Sequence, residues 1–268
     1  MRRKLSIVLA VVLSVGVGAT IIESRRVAAA SHRARVYGVV APDARAFFAD
    51  SRVRAEFARH RIDVIVSATG RDFALTADGQ SQARFSTPLV VSAPTSSLPA
   101  LERAGLVHNQ KFDLARYMAL AHRQQAPALI ASPSITSTAG ALFAAVAGEV
   151  ANGTRMPASI ADVNHIVNLV SPLFRVGAGT LRVDTEAALL ASQQPNTTLL
   201  SPEPAISAVH AFVSQTPRGQ RVLRLLATDA TLRNLAAQHG FEPGGTAVSA
   251  TILDAISTRV AATLRAGA

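Results

Sequence analysis

The apolar positions of the segment Arg35–Val40, RVYGVV, are mostly β-branched, which predicts a β-strand ending at Ala41-Pro42-Asp43. The next stretch, ARAFFADSRVRAEFARH (44–60), places Phe47, Val53 and Phe57 near one face at helical spacing. IDVIVSATG (62–70) then predicts a second strand that ends in a hydroxyl–glycine loop. A strand, loop, helix, strand and loop in that order open a parallel α/β sheet.

The pattern continues in short elements. FALTADGQSQARF (73–85) is a further loop-bearing piece, and TPLVVSAP (87–94) is a strand bounded by prolines. DLARYMALAHRQ (113–124) reads as a helix and PALIAS (127–132) as a strand. Helices are expected at about 140–151, 159–173 and 181–194. Two short β segments flank Pro202-Glu203-Pro204, two consecutive helices cover 217–240, Gly244-Gly245 breaks the chain, and an amphipathic helix closes it over 248–266. The chain shows neither an internal repeat nor a low-complexity linker.

Ligands of open α/β sheets bind beyond the carboxyl ends of the strands. Four loops have that address: Ala41–Asp43, Ser67–Arg71, Thr76–Ser81 and Ser132–Thr138. The last is the densest in hydroxyls, with Ser132, Ser134, Thr136, Ser137 and Thr138 ahead of an Ala-rich apolar segment that reads as a buried helix. Hydroxyls there serve either as a helix cap or as a cradle for a polar solute, because the first backbone N–H groups of a helix lack intrahelical partners.

Composition narrows the function classes. Apolar residues make up 49% of the chain and charged residues 16%, which suits a large core. There is no Trp and there are only two Tyr, so base-stacking surfaces and aromatic sugar platforms are disfavoured and no nucleic-acid partner is expected. No cysteine is present, which excludes disulfides, thiolate metal sites and Cys nucleophiles. The seven His residues show no His-Glu-x-x-His spacing, and neither a Gly-x-Ser-x-Gly elbow nor a Gly-Lys-Ser/Thr phosphate loop occurs. The chain therefore reads as a non-enzyme without a cofactor or metal. Its Arg residues, the main source of the net charge of +10, are dispersed and do not form a stripe.

Residues 1–30 have the organisation of an export signal: Arg2-Arg3-Lys4, an uncharged run from Leu5 to Ile22, and small residues ending near Ala30. The apolar run also reaches the lower length of a bilayer span, so a cleaved signal peptide and an uncleaved N-terminal membrane anchor both remain open. Either places residues 31–268 outside the cytoplasm, in a periplasmic or extracellular setting.

The segment VHAFVSQTPRGQRVLRLLATDATLRNLAAQHGFEP (209–243) resembles the end of type 2 extracellular (periplasmic) solute-binding proteins of ABC transporters. There a strand leads to a helix, a short step such as Thr228-Asp229-Ala230-Thr231-Leu232 begins a second helix, and a close such as His239-Gly240-Phe241-Glu242-Pro243 follows. The N-terminal piece from Val36 to Ala74, the loop Ser132–Gly140 and Gly177-Ala178-Gly179-Thr180 are similar to further pieces of that pattern, in the same order. Ser132 departs from the acidic residue that often opens the second-lobe loop, and the last helix extends past the usual end.

The resemblance implies an α/β, two-lobe type 2 periplasmic-binding-protein fold with hinge-linked lobes, behind the N-terminal signal or anchor helix. Lobe 1 would cover about 31–88 and 203–268, and lobe 2 about 89–202, with hinges near Pro88 and Pro202–Pro204. A monomer would capture a small polar solute, anions included, between its lobes and deliver it to the permease of an ABC importer. The expected ligand-binding residues are Ser67, Thr69, Gly70 and Arg71 from the first loop, and Thr136, Ser137, Thr138 and Gly140 from the second. Arg71 would offer a bidentate contact to a carboxylate or oxyanion; as an ordinary solvated arginine it would offer none. Two other readings stay open: a membrane-tethered ligand sensor on the same fold, and a cell-envelope binding protein or extracytoplasmic enzyme that serves no transporter.

Overall fold

The computed structural model describes residues 33–76, 84–131, 133–153, 155, 159–174, 179–243, 248 and 250–266. The expected signal or anchor (1–30), Asp78 and Gln80 of the third loop, Ser132, Gly177 and Gly244-Gly245 lie outside the described residues.

The first lobe begins with β1 (Ala34–Val40), a 3-10 turn (Pro42–Ala44), α1 (Arg45–Ala49), α2 (Ser51–Arg59), β2 (Ile62–Val66) and β3 (Phe73–Thr76). Strands β1, β2 and β3 are parallel, and β1 lies between the other two. The single helix expected over 44–60 is two helices. Asp50 takes an extended backbone (φ −59°, ψ 128°) and its side chain caps α2 by accepting from the Arg52 N–H. Between β2 and β3 the chain crosses over β1, and it can do so because residue 70 is glycine. A Cβ there would lie 2.3 Å from the Val39 nitrogen, inside the van der Waals contact of the strand below.

The long strand β4 (Arg84–Pro94) leaves this lobe and enters the other. Its first half pairs antiparallel with β10 (Ser207–Ser214), from Pro88 opposite Ser207 to Arg84 opposite Ala211. Its second half pairs with β8 (Leu181–Thr185) and β9 (Thr197–Glu203). The second lobe also contains α3 (Leu98–Arg103), the hairpin β5 (Val107–His108) and β6 (Lys111–Asp113), α4 (Leu114–His122), β7 (Ile130–Ala131), α5 (Thr138–Ala151), α6 (Ile160–Val170) and α7 (Glu186–Ala191). The chain then returns through β9 and β10 to α8 (Pro217–Thr228), α9 (Ala230–Gln238) and β11 (Glu242–Pro243). Two strands thus cross between the lobes side by side, at Thr87–Leu89 and at Pro204–Ser207, where the Leu89 N–H donates to the Ile206 carbonyl at 2.9 Å.

Each lobe has its own apolar core. Phe47, Phe57, Phe73, Phe212, Val222 and Leu232 anchor the first, beneath α1, α2, α8 and α9. The second is built around α5, whose residues 139–148 are all buried, as its unbroken apolar sequence predicts. The last helix, α10 (Ala250–Ala266), corrects the expected lobe boundary. Ile252, Ile256 and Val260 bury their side chains in the second lobe's core, against α5 and α6, so this helix does not belong with lobe 1. The helix expected over 181–194 is likewise corrected. Leu181, Val183 and Thr185 point inward and Arg182 outward at a period of two, so the β-branched half forms β8 along β4 and only Glu186–Ala191 is helical.

Candidate functional site

Between the lobes lies a cavity of about 500 Å³. The first lobe contributes Pro42 and Asp43, from the turn after β1. The second contributes Thr136–Ala139, at the mouth of α5, and Asp184, Thr185, Ala188 and Ala191, from β8 and α7. Two helix starts, those of α5 and α7, therefore open on it.

Local chemistry fixes these groups. Ser137 is the N-cap of α5: its hydroxyl accepts from the Gly140 N–H at 3.1 Å and donates to the Ser134 carbonyl at 2.6 Å. Thr138 is the first helical residue and is exposed toward the cavity. The Thr136 hydroxyl shares a 2.9 Å hydrogen bond with the Ser134 hydroxyl. Gly140 is buried behind this loop, where a Cβ would lie 2.0 Å from the Ser134 carbonyl oxygen. It shapes the rim and does not line the cavity. Thr185 caps α7, and its own N–H donates to Asp184 Oδ1 at 2.8 Å. The Ala187 N–H, inside α7, donates to the hydroxyl of buried Thr87 on the crossing strand at 3.0 Å.

Two carboxylates face this space, and sequence reasoning singled out neither as a site residue. Asp43 Oδ2 is 2.9 Å from Nε2 of His210, a side chain only 1% exposed on β10. Asp43 Oδ1 is buried and has no hydrogen-bond partner among the described residues. Burial pushes the Asp184 carboxyl above the usual carboxylate range. The Thr185 N–H and Arg182 oppose that shift, and the charge of Asp43 adds to it. No Lys or Arg is among the described residues that line the cavity. A carboxylate accepts hydrogen bonds and supplies none when ionised, so the lining asks for a solute that brings donors. The only signal for these residues in the sequence was positional: Asp43 sits in a strand-end loop, whereas Asp184 was hidden in a segment read as helix.

The two expected clusters separate. Thr136, Ser137 and Thr138 line the cavity together with the Ala41–Asp43 loop. Ser67, Thr69, Gly70 and Arg71 lie in the β2–β3 crossing and are not part of its lining. Ser67 donates its N–H to the Gly38 carbonyl at 2.9 Å, and Arg71 is exposed beside Asp72. There the Arg71 guanidinium is one of the charges that holds the Asp72 carboxyl down.

No protein-family model matches the chain, and no curated protein matches it. Among solved structures, the sulfate-binding protein SubI from Mycobacterium tuberculosis H37Rv is similar at 14% identity, over 83% of this chain and 91% of that one, with a TM-score of 0.46. Iron-bound HitA from Pseudomonas aeruginosa is similar at 9% identity, over 87% and 98%, with a TM-score of 0.49. The substrate-binding domain of a putative molybdenum ABC transporter from Clostridium difficile is similar at 9% identity, over 78% and 98%, with a TM-score of 0.47.

Proposed function

We propose that the chain is an exported solute-binding protein that captures a small polar solute between its lobes, by closure and without covalent chemistry, and delivers it to the permease of an ABC importer. The observation that carries this reading is the cavity walled by both lobes beside two crossing strands. Such a cavity changes shape whenever the lobes rotate about those strands. The sequence resemblance over 209–243 and the apolar run of residues 5–22, which suits export, point the same way. Among the described residues no helix is long and apolar enough to cross a membrane.

Hydroxyls at the mouth of α5 and its helix start favour an anionic or otherwise electron-rich group at one end of the solute. Asp43 and Asp184 favour hydrogen-bond donors at the other. The test is thermal unfolding against a panel of oxyanions, carboxylates, amines, sugars and peptides, on protein unfolded and refolded to release any carried ligand. A solute that binds only the folded state stabilises it by about 2.7 kcal/mol at a hundredfold excess over Kd. One chemical class should raise the melting temperature, and Asp184→Asn and Thr138→Ala should weaken that response. A flat response over the whole panel, with no ligand-dependent change in radius of gyration, rejects capture in this cavity.

A further inference from the structure

Away from the cavity, on the helical face of the first lobe, α2 and α9 lie side by side and bring three potential metal ligands together. Glu56 and His60 are four residues apart, in the last turn and at the C-cap of α2, and Asp229 is the N-cap of α9. One ligand atom from each lies within 4.8 Å of the other two. His60 Nε2 is 3.0 Å from Asp229 Oδ2 and 3.8 Å from Glu56 Oε1. Ligand atoms around tetrahedral Zn²⁺, with bonds of about 2.0–2.2 Å, stand about 3.4 Å apart. Small side-chain rotations would therefore bring these three atoms to bonding distance.

The outer oxygens are already held, as the second shell of a metal site requires. Glu56 Oε2 accepts from Arg59 at 2.9 Å, which leaves Oε1 toward His60. Asp229 Oδ1 accepts from the Leu232 N–H at 2.9 Å, which leaves Oδ2 toward His60. Glu56 is itself buried, an unusual place for a carboxylate on a helix surface.

A second contact of the same kind in the same lobe serves as an internal comparison. His239, the C-cap of α9, meets Asp50, the N-cap of α2, at 2.9 Å. The two helices are thus tied reciprocally at both ends. At that other end, however, Arg52 occupies both Asp50 oxygens, through its backbone N–H and its guanidinium. No second carboxylate joins that pair in a three-ligand group among the described residues. At one end Arg52 engages both oxygens of the single carboxylate, whereas at the other an imidazole faces two carboxylates, each with one oxygen held elsewhere and the other left toward the ring.

We propose that Glu56, His60 and Asp229 form a Zn²⁺ site that fastens α2 to α9, with the remaining coordination position open to water. Neutral imidazole with two carboxylates is a hard-to-borderline donor set suited to this ion. Because the chain contains no cysteine, no thiolate competes for the metal.

The experiment uses the full chain, stripped with a chelator, and follows ZnCl₂ by calorimetric titration and by thermal unfolding. We expect one Zn²⁺ per chain and a higher melting temperature. Asp229→Asn keeps a good N-cap for α9, and Glu56→Gln keeps the side-chain shape; each removes a charged ligand and should weaken binding by more than the about 10- to 100-fold that loss of an outer-shell partner costs. His239→Ala, at the other tie, should bind as the unaltered chain does. If the unaltered chain takes up no stoichiometric Zn²⁺, the trio is only a hydrogen-bonded tie between the helices and the proposal fails. It fails equally if Zn²⁺ binds but Asp229→Asn and Glu56→Gln leave the affinity unchanged.

Discussion

Asp72 offers the sharpest test of how the first lobe is assembled. The residue is buried at the point where the chain, having crossed β1, enters β3. Its Oδ2 accepts from the Tyr37 N–H at 2.8 Å and its Oδ1 from the Thr216 hydroxyl at 2.7 Å, so one carboxylate joins β1, the crossing and the cap of α8. Burial alone would push this carboxyl up. The Tyr37 N–H, the Thr216 hydroxyl and the guanidiniums of Arg218 and Arg71 outweigh it and hold the group below the usual carboxylate range. A hydrogen bond to a charged group contributes about 1.5–3 kcal/mol, and removing the acceptor orphans both donors. Asp72→Ala should therefore cost about 3–5 kcal/mol. At about 2–4 °C per kcal/mol for a chain of this size, that lowers the melting temperature by roughly 10 °C. Thr216→Val, which removes one of the two contacts and the cap on the Gly219 N–H, should cost about half as much. The double variant should lose less than the sum, because the two side chains share one interaction. The assay is chemical and thermal unfolding of the three variants. A loss below about 1 kcal/mol for Asp72→Ala, or strict additivity with Thr216→Val, would refute the claim that this carboxylate organises the crossing.

Gly140→Ala would ordinarily favour a helix by about 1 kcal/mol. Here the added methyl meets the Ser134 carbonyl oxygen, so overpacking should make the change destabilising by about 1–3 kcal/mol and displace the Ser134–Ser137 rim; a variant that melts higher than the parent contradicts that close approach. Acid should loosen the helical face of the first lobe. Asp50 is held far below the usual carboxylate range by Arg52 first and by His239 after it, and Asp229 is lowered by the Leu232 N–H first and then by His60. Depressed folded-state values give stability that is present above the unfolded carboxylate range, near pH 4, and lost as pH falls through the folded values. Melting temperature measured from pH 7 to pH 2 should therefore drop steeply below about pH 4, with a shallower drop in an Asp50→Asn, Asp229→Asn double variant.

Much of the architecture was legible because binary patterning reports burial directly. The parallel start, the buried helix α5, the two strands around Pro202–Pro204 and the paired helices α8 and α9 all follow from apolar spacing and caps. Three features escaped for physical reasons. In LRVDTEAALLA, Leu181–Ala191, the apolar spacing serves a strand and then a helix, and only pairing with β4 decides where one ends. The final helix is amphipathic and indifferent to which core it meets; its partner is chosen in three dimensions. The ionic groups were least legible. Asp43 and His210 are 167 residues apart in sequence, and His60 and Asp229 are 169 apart. No local spacing announces a contact of that range. In the Ser67–Arg71 loop, glycine and hydroxyls suit a ligand loop and a tight crossing alike, and Gly70 makes the close approach to β1 that the crossing needs.

The placement of the two cavity carboxylates bears on how capture would be coupled to closure. Asp43 stands in the first lobe but is tethered through His210 to β10, the returning crossing strand. Asp184 stands in the second lobe beside Val90 of β4, the outgoing crossing strand. Each carboxylate is thus referenced to the pair of strands about which the lobes would turn. In the proposed mechanism, closure brings the two carboxylates together with no lysine or arginine among the described lining residues and only Arg182, beside Asp184, to offset them, a repulsion that grows as water leaves and the local dielectric falls. An empty protein therefore resists closing. A solute that places hydrogen-bond donors between Asp43 and Asp184 removes the repulsion, and its negative end is received by the hydroxyls and helix start of α5. The binding energy of such a solute differs between the open and closed arrangements, which is the condition for a ligand to shift that equilibrium. Replacing both carboxylates with amides would then let the empty protein close, and would flatten the difference in radius of gyration between its free and solute-loaded states.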